Sequence, residues 1–117
     1  MSFVKLSDMA RLDLARLYDF LAQHDASVAR RAMNTLVEGL AVIEKLPMAG
    51  SPLADRPHVK KYIIDFGATG YLVFHKRYEK QNMNFVARII HQKEWYDEAS
   101  IGLVEEMAEE ARSPQAK

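Results

Sequence analysis

Five residues of this chain could together cleave a phosphodiester bond without a metal ion. Such cleavage needs a base for the ribose 2′-hydroxyl, an acid for the leaving oxygen and cations near phosphorus. His75 or His91 could transfer the protons, and Lys61, Arg77 and Arg88 could stabilise the charge. These residue types are common, so their presence is a weak signal for catalysis.

The position of His91 favours a structural role over a catalytic one. It has the opposite parity to Arg88 along its predicted strand, so the two meet only if the strand twists or ends near Ile90. We interpret His91 as a strand-end histidine that hydrogen-bonds backbone groups. Trp95 and Tyr96, just beyond it, are interpreted as packing residues rather than as platforms for nucleic-acid bases.

Other chemistries lack the residues they need. The chain has no cysteine, which excludes disulfides, thiolate metal sites and thiol nucleophiles. The four histidines show no metal-ligand spacing, and the five glycines form no phosphate-binding loop. We therefore predict neither a metal nor a cofactor.

Hydrophobic spacing predicts an α+β fold. Apolar residues recur at helical spacing in two segments joined by a short turn, and Pro47 ends the second. After a loop, the period changes to two, with turn residues between the runs. We predict an N-terminal helical hairpin packed on a small antiparallel sheet, built from a short N-terminal strand and a three-stranded meander, with a C-terminal helix. The predicted elements are a strand over 3–6, helices over 8–23 and 26–46, strands over 59–66, 71–78 and 83–91, and a helix over 94–111.

Alternation along the strands predicts which sheet face the hairpin covers. The predicted buried side chains are Tyr62, Ile64, Phe66, Leu72, Phe74, Phe85, Ala87 and Ile89. The opposite, open face then carries Lys61, Ile63, Val73, His75, Arg77, Val86, Arg88 and Ile90, with Trp95 at its end. Such a face can simply be solvated, but its apolar floor indicates a cover. That cover is the C-terminal helix, a partner, or both.

The charges divide the chain into a basic and an acidic block. The 117 residues carry 16 basic and 16 acidic side chains, a net charge of zero. Residues 1–93 hold 14 basic and 9 acidic residues (+5), whereas 94–117 hold 2 and 7 (−5). A nucleic-acid-associated target is therefore not excluded. Neither a signal peptide nor a membrane-spanning run is present, so we expect a soluble, cytoplasmic protein.

The order of these elements resembles the RelE/ParE superfamily, the toxins of bacterial type II toxin–antitoxin systems. The resemblance is to the ParE branch and is carried by residues 10–18 (ARLDLARLY), 59–62 (VKKY) and 87–95 (ARIIHQKEW), with a Pro-Met-Ala-Gly loop at 47–50. It covers residues 3 to about 97. It implies a toxin domain over 1–97, followed by an acidic helical extension over 98–117 in the same globular unit.

The resemblance implies a growth-inhibiting toxin of the plasmid-stabilisation type, which binds DNA gyrase without catalytic residues of its own. A cognate antitoxin neutralises it, and the target or the antitoxin contacts the open face, including Trp95. The alternative is a RelE-like endoribonuclease that cleaves mRNA on the ribosome with Lys61, Arg77, Arg88 and His91. No membrane partner is expected, and a homodimer or a toxin–antitoxin hetero-oligomer is compatible with both.

Overall fold

The computed structural model describes residues 2–94, which form two helices and five strands. In chain order they are β1 (Phe3–Leu6), α1 (Asp8–Ala22), α2 (Ala26–Lys45), β2 (Ser51–Pro52), β3 (Val59–Phe66), β4 (Thr69–Tyr78) and β5 (Met83–His91). The predicted α+β fold is confirmed. The helix predicted over 94–111 and the boundary at 97/98 lie outside the described residues and stay predictions.

Side-chain caps explain where the two helices begin. The Ser7 hydroxyl accepts a hydrogen bond from the Ala10 N–H (2.9 Å) and donates one to the Ala87 carbonyl (2.7 Å), so α1 starts against β5. The Asp25 carboxylate accepts hydrogen bonds from the Ser27 and Val28 N–H groups at the start of α2. The Asp25 cap lies in the turn of the predicted helical hairpin, and the Ser7 cap joins the start of α1 to β5.

The sheet is mixed rather than antiparallel, with strand order β1-β5-β4-β3-β2. The meander β3–β4–β5 is antiparallel as predicted, but β1 pairs in parallel with β5. The intervening helices carry the chain back across the sheet, which is what a parallel neighbour requires. The two-residue β2, in a segment predicted to be loop, pairs with Lys60 and Lys61.

Both faces of the sheet are buried, in two separate clusters. The first joins the helices to one face and contains Ala10, Leu17, Ala32, Leu36, Ile43, Ile64, Tyr71, Val73, Val86 and Ile89. The second lies on the other face and contains Leu53, Val59, Leu72, Phe74, Met83, Phe85, Ala87 and Ile90. We call these the helix-side face and the second face.

The predicted face assignment is correct for β3, reversed for β4 and mixed for β5. Tyr62, Ile64 and Phe66 pack on the helix side as predicted, and so does Ile89, whereas Leu72, Phe74, Phe85 and Ala87 lie on the second face. The register between β3 and β4 explains the reversal of β4: Ile64 pairs with Tyr71, and paired residues share a face, so Tyr71 rather than Leu72 lies on the helix-side face. A β-bulge explains the mixed result for β5. Phe74 pairs with Arg88 but His75 pairs with Val86, so one extra residue in β5 reverses which of its alternating side chains face the helices.

Neither described helix is long and apolar enough to cross a membrane.

Candidate functional site

The predicted open face is not one surface, and this geometric prediction is wrong. Val73, His75 and Val86 are fully buried on the helix side, and Ile90 is buried in the second cluster. On β3, Lys61 is half-buried and Ile63 is 51% exposed. Trp95 lies outside the described residues. The binding roles assigned to these residues stay predictions.

Arg88 is held in an ion pair with a buried carboxylate on α1. Its Nε and one terminal nitrogen donate to the two Asp13 oxygens at 2.7 and 2.9 Å. Asp13, only 2% exposed, also accepts the Ile89 N–H at 2.9 Å. These hydrogen bonds raise the pKa of Arg88, so its charge is permanent and already compensated.

His75 and Asn84 form a buried polar link between the sheet and the loop that follows α2. Asn84 Nδ2 donates to His75 Nδ1 (2.9 Å) and to the Pro47 carbonyl (2.8 Å), while His75 Nε2 lies 2.8 Å from the Ala49 carbonyl. These partners require the neutral imidazole with its proton on Nε2. Burial lowers the pKa of His75, which stabilises the same neutral form.

Arg77 extends this network at the far end of β4. Its guanidinium donates to Asn84 Oδ1 (3.1 Å) and Asn82 Oδ1 (2.6 Å) and lies 3.5 Å from the exposed Glu79 carboxylate. Asn82 occupies the left-handed region (φ 53°), so Arg77 stabilises the strained turn between β4 and β5.

His91 stands at the opposite end of β4, beside a cavity of about 580 Å³. Its Nε2 lies 2.9 Å from the Thr69 hydroxyl, and its Nδ1 accepts the Lys93 N–H at 3.2 Å. The Tyr71 ring meets the imidazole edge-on, with 5.5 Å between centroids. This agrees with the structural interpretation of His91, whose partners are a hydroxyl and a backbone amide.

Apolar side chains from α1 and the sheet line most of this cavity, and a charged pair borders it. The lining side chains belong to Arg16, Leu17, Phe20, Leu21, Phe66, Thr69, Tyr71, His91, Lys93 and Glu94. Arg16 and Glu94 form an ion pair there, and the Glu94 carboxylate also accepts the His91 N–H at 2.8 Å. Burial raises the pKa of Tyr71, so its phenol stays neutral.

The structure does not bring the four candidate ribonuclease residues together. His91 pairs with Tyr71, whereas Arg77 lies six residues further along β4. At about 3.3 Å per residue, this separates them by roughly 20 Å. Lys61 lies on β3 opposite Phe74, and Arg88 is turned to Asp13. Within residues 2–94, no three histidine or acidic side chains are grouped as a metal site would require.

Sequence reasoning missed Asp13, Asn84 and the lining of the cavity. Asp13 carried a usable signal, because it falls between Ala10 and Leu17 on the buried face of α1, where a charge requires a partner. The turn before Thr69 was predicted from the sequence as part of a hairpin. The hydrogen bond between Thr69 and His91 required the register of β4 and β5, which the sequence does not reveal.

A helical hairpin covers one face of a five-stranded mixed sheet, and Arg77 and Arg88 of that sheet are bound to polar side chains within the fold. The chain belongs to the family described as ParE toxin of type II toxin-antitoxin system, parDE, whose model matches residues 4–96. It is thus a toxin of a type II toxin–antitoxin system, and its family implies a cognate antitoxin as partner.

A solved structure shares this fold. A chain of the chromosomal ParDE TA system from P. aeruginosa is similar with a TM-score of 0.64 and 19% identity, over 78% of this chain and 96% of that one. A mutant of the E. coli toxin RelE in the free state has a TM-score of 0.49 and 18% identity, over 79% and 84% of the two chains. No curated protein sequence matches this chain.

Proposed function

We propose that this toxin inhibits DNA gyrase by binding it, without chemistry of its own, and that its cognate antitoxin relieves the inhibition. The observation that carries the proposal is the dispersal of the candidate ribonuclease residues. Arg88 is paired with Asp13, and His91 is about 20 Å from Arg77 by strand geometry. Phosphodiester cleavage requires its proton-transfer groups and cations at one phosphate.

The surface we propose for contact is the exposed part of β3, at Lys61 and Ile63. Ile63 is half-exposed and Lys61 lies two positions before it, on the same side of the strand. An exposed isoleucine beside a lysine suits a protein partner, because it offers apolar area together with a charge at its rim.

The test measures supercoiling and transcript integrity in parallel. Purified toxin is titrated into a gyrase supercoiling assay and, separately, into a translating extract with a reporter mRNA. We expect loss of supercoiling with intact mRNA, and restoration of supercoiling by the antitoxin. Intact supercoiling with cleaved mRNA would refute the proposal and establish the ribonuclease alternative.

Two variants sharpen the result. Ile63→Asp should weaken gyrase inhibition at least tenfold, while Val37→Asp, at an apolar site on α2 that is more exposed (65% against 51%), should not. His91→Gln keeps a hydrogen-bonding side chain and should retain full inhibition, whereas a ribonuclease that uses His91 would lose most of its activity.

A further inference from the structure

The part of the second face formed by β4 and β5 is buried although neither described helix lies on it. Phe74 is 0%, Ile90 3%, Phe85 4% and Leu72 5% exposed. Both helices contribute side chains only to the cluster on the helix-side face. A sheet face bare to water would leave large apolar side chains substantially exposed, so something lies over this one.

Within residues 2–94, Leu53 is the one member of the second cluster that lies outside the meander, and it packs at the same end of the sheet as Tyr78, the last residue of β4. The Leu53 N–H donates a hydrogen bond to the Val59 carbonyl, and the Tyr78 ring makes an edge-to-face contact with Phe85. Leu72 and Ile90 form a cross-strand pair six residues from Tyr78 along β4, roughly 20 Å away. Neither Leu53 nor Tyr78 can cover that pair.

The chain after Glu94 has the position and length to be the cover. It begins four positions after His91, the last residue of β5, and contains 23 residues. Residues 96–111 as a helix would span roughly 24 Å, against roughly 30 Å for the nine-residue β5. Tyr96, Leu103 and Met107 fall on one apolar stripe at helical spacing.

The charge distribution also favours residues 95–117 as the cover of the second face. Residues 2–94 carry 14 basic and 10 acidic side chains (+4), and residues 95–117 carry 2 and 6 (−4). Lys61 and Lys76 pair with Phe74 and Phe85, and paired residues share a face, so both lysines border the buried second face.

We propose that residues 95–117 dock on the second face of this chain's own sheet through the Tyr96, Leu103 and Met107 stripe. The family match ends at residue 96, so most of this cover lies outside the toxin family domain. A partner that addresses the second face must then displace an intramolecular occupant. Ile63 pairs with Leu72 and therefore lies on this same face, but it is 51% exposed, so the docked segment leaves the β3 side of the face, the contact surface proposed above, open to a partner.

The test uses single cysteines in the full chain, which has no native thiol. Ala87→Cys places a thiol on the second face, and Val86→Cys places one on the helix-side face, at buried neighbouring positions of β5. Each is alkylated with a small maleimide, with and without the added substitutions Leu103→Asp and Met107→Asp. We expect the rate to rise at least tenfold for Ala87→Cys and to stay within twofold for Val86→Cys.

Two outcomes would overturn the docking. An unchanged rate for Ala87→Cys would mean that another element covers the second face. An equal rise at both positions would mean that the segment holds the whole fold together rather than covering one face. Leu103→Ala, a milder change, should accelerate alkylation of Ala87→Cys in the same direction by a smaller factor, and its failure to do so would contradict the stripe.

Discussion

Replacing Asp13 by asparagine should destabilise the fold more than any other single-atom change on α1. Asp13 accepts two hydrogen bonds from Arg88 and one from the Ile89 amide, and its side chain is 3% exposed. The carboxamide introduced by Asp13→Asn would keep one acceptor oxygen but would remove the carboxylate that pairs with the Arg88 guanidinium, which is 21% exposed, and would leave Glu94 as the nearby acidic group that favours its charge. Breaking a buried ion pair by removing one partner typically costs about 3–5 kcal/mol. Because Arg88 keeps some solvent contact, we expect about 2–4 kcal/mol.

The assay is urea unfolding followed by circular dichroism, with Asp8→Asn as the matched control. Asp8 also pairs with an arginine, Arg11, three residues along α1, but its side chain is 98% exposed, so about 0–1 kcal/mol is expected. A double-mutant cycle with Arg88→Met should recover part of the loss, because it removes the guanidinium that has lost the Asp13 carboxylate. A loss below about 1 kcal/mol for Asp13→Asn would refute the reasoning and return Arg88 to the list of functional cations.

Three further predictions concern the loop, the hairpin and pH. Gly50→Ala should destabilise the fold by about 2 kcal/mol or more in thermal unfolding, because Gly50 has φ 103° and an added Cβ would lie 2.5 Å from the Lys61 carbonyl oxygen on β3. Gly67→Ala is the control: Gly67 has φ 61° but open space around it, so the loss of stability should be only about 1 kcal/mol. Ala32→Leu, at a fully buried position of α2, should destabilise the fold by about 1–3 kcal/mol in urea unfolding, while Ala41→Leu on the exposed side of α2 should change little. Burial holds the pKa of His75 in the folded protein below its ordinary 6.5. Between the two pKa values the unfolded chain therefore binds more protons than the folded chain. The free energy of unfolding should then fall as the pH drops below 6.5, by at most about 1.4 kcal/mol per pH unit. Unfolding titrations from about pH 7 to about pH 5 should show a shallower fall for His75→Gln than for the native chain, and equal slopes would contradict the assignment.

The elements were predictable because each has a local cause. Ser7 and Asp25 cap helices that show clear apolar spacing, and turn residues separate the strands of the meander. The parallel pairing of β1 was not predictable, because nothing in a four-residue strand indicates its neighbour. The two-residue β2 depends on the register of β3 rather than on its own Ser-Pro sequence.

The faces of β4 were unpredictable for a different reason. Residues 70–75 are all buried, so apolar side chains occupy both faces and alternation carries no information. The bulge opposite Phe74 then shifts β5 by one residue, and no residue type in β5 marks it. An error in the faces led directly to the error in the site, because His75 and Val73 were assigned to a surface that the helices cover.

The positions of the arginines bear on the target more than their number does. A basic sheet suggests attraction to nucleic acid only where its cations can reach phosphates. Here Arg88 is bound to a buried carboxylate and Arg77 to two asparagine oxygens, so two of the strongest phosphate ligands of the sheet are already engaged in the fold. Releasing Arg88 for RNA would remove the shortest ion pair of the buried Asp13 carboxylate and leave it only Arg16, at 3.4 Å, as a cationic partner, a cost that phosphate binding would have to offset. The same residues that made a ribonuclease conceivable from the sequence therefore favour a toxin that acts through protein contacts.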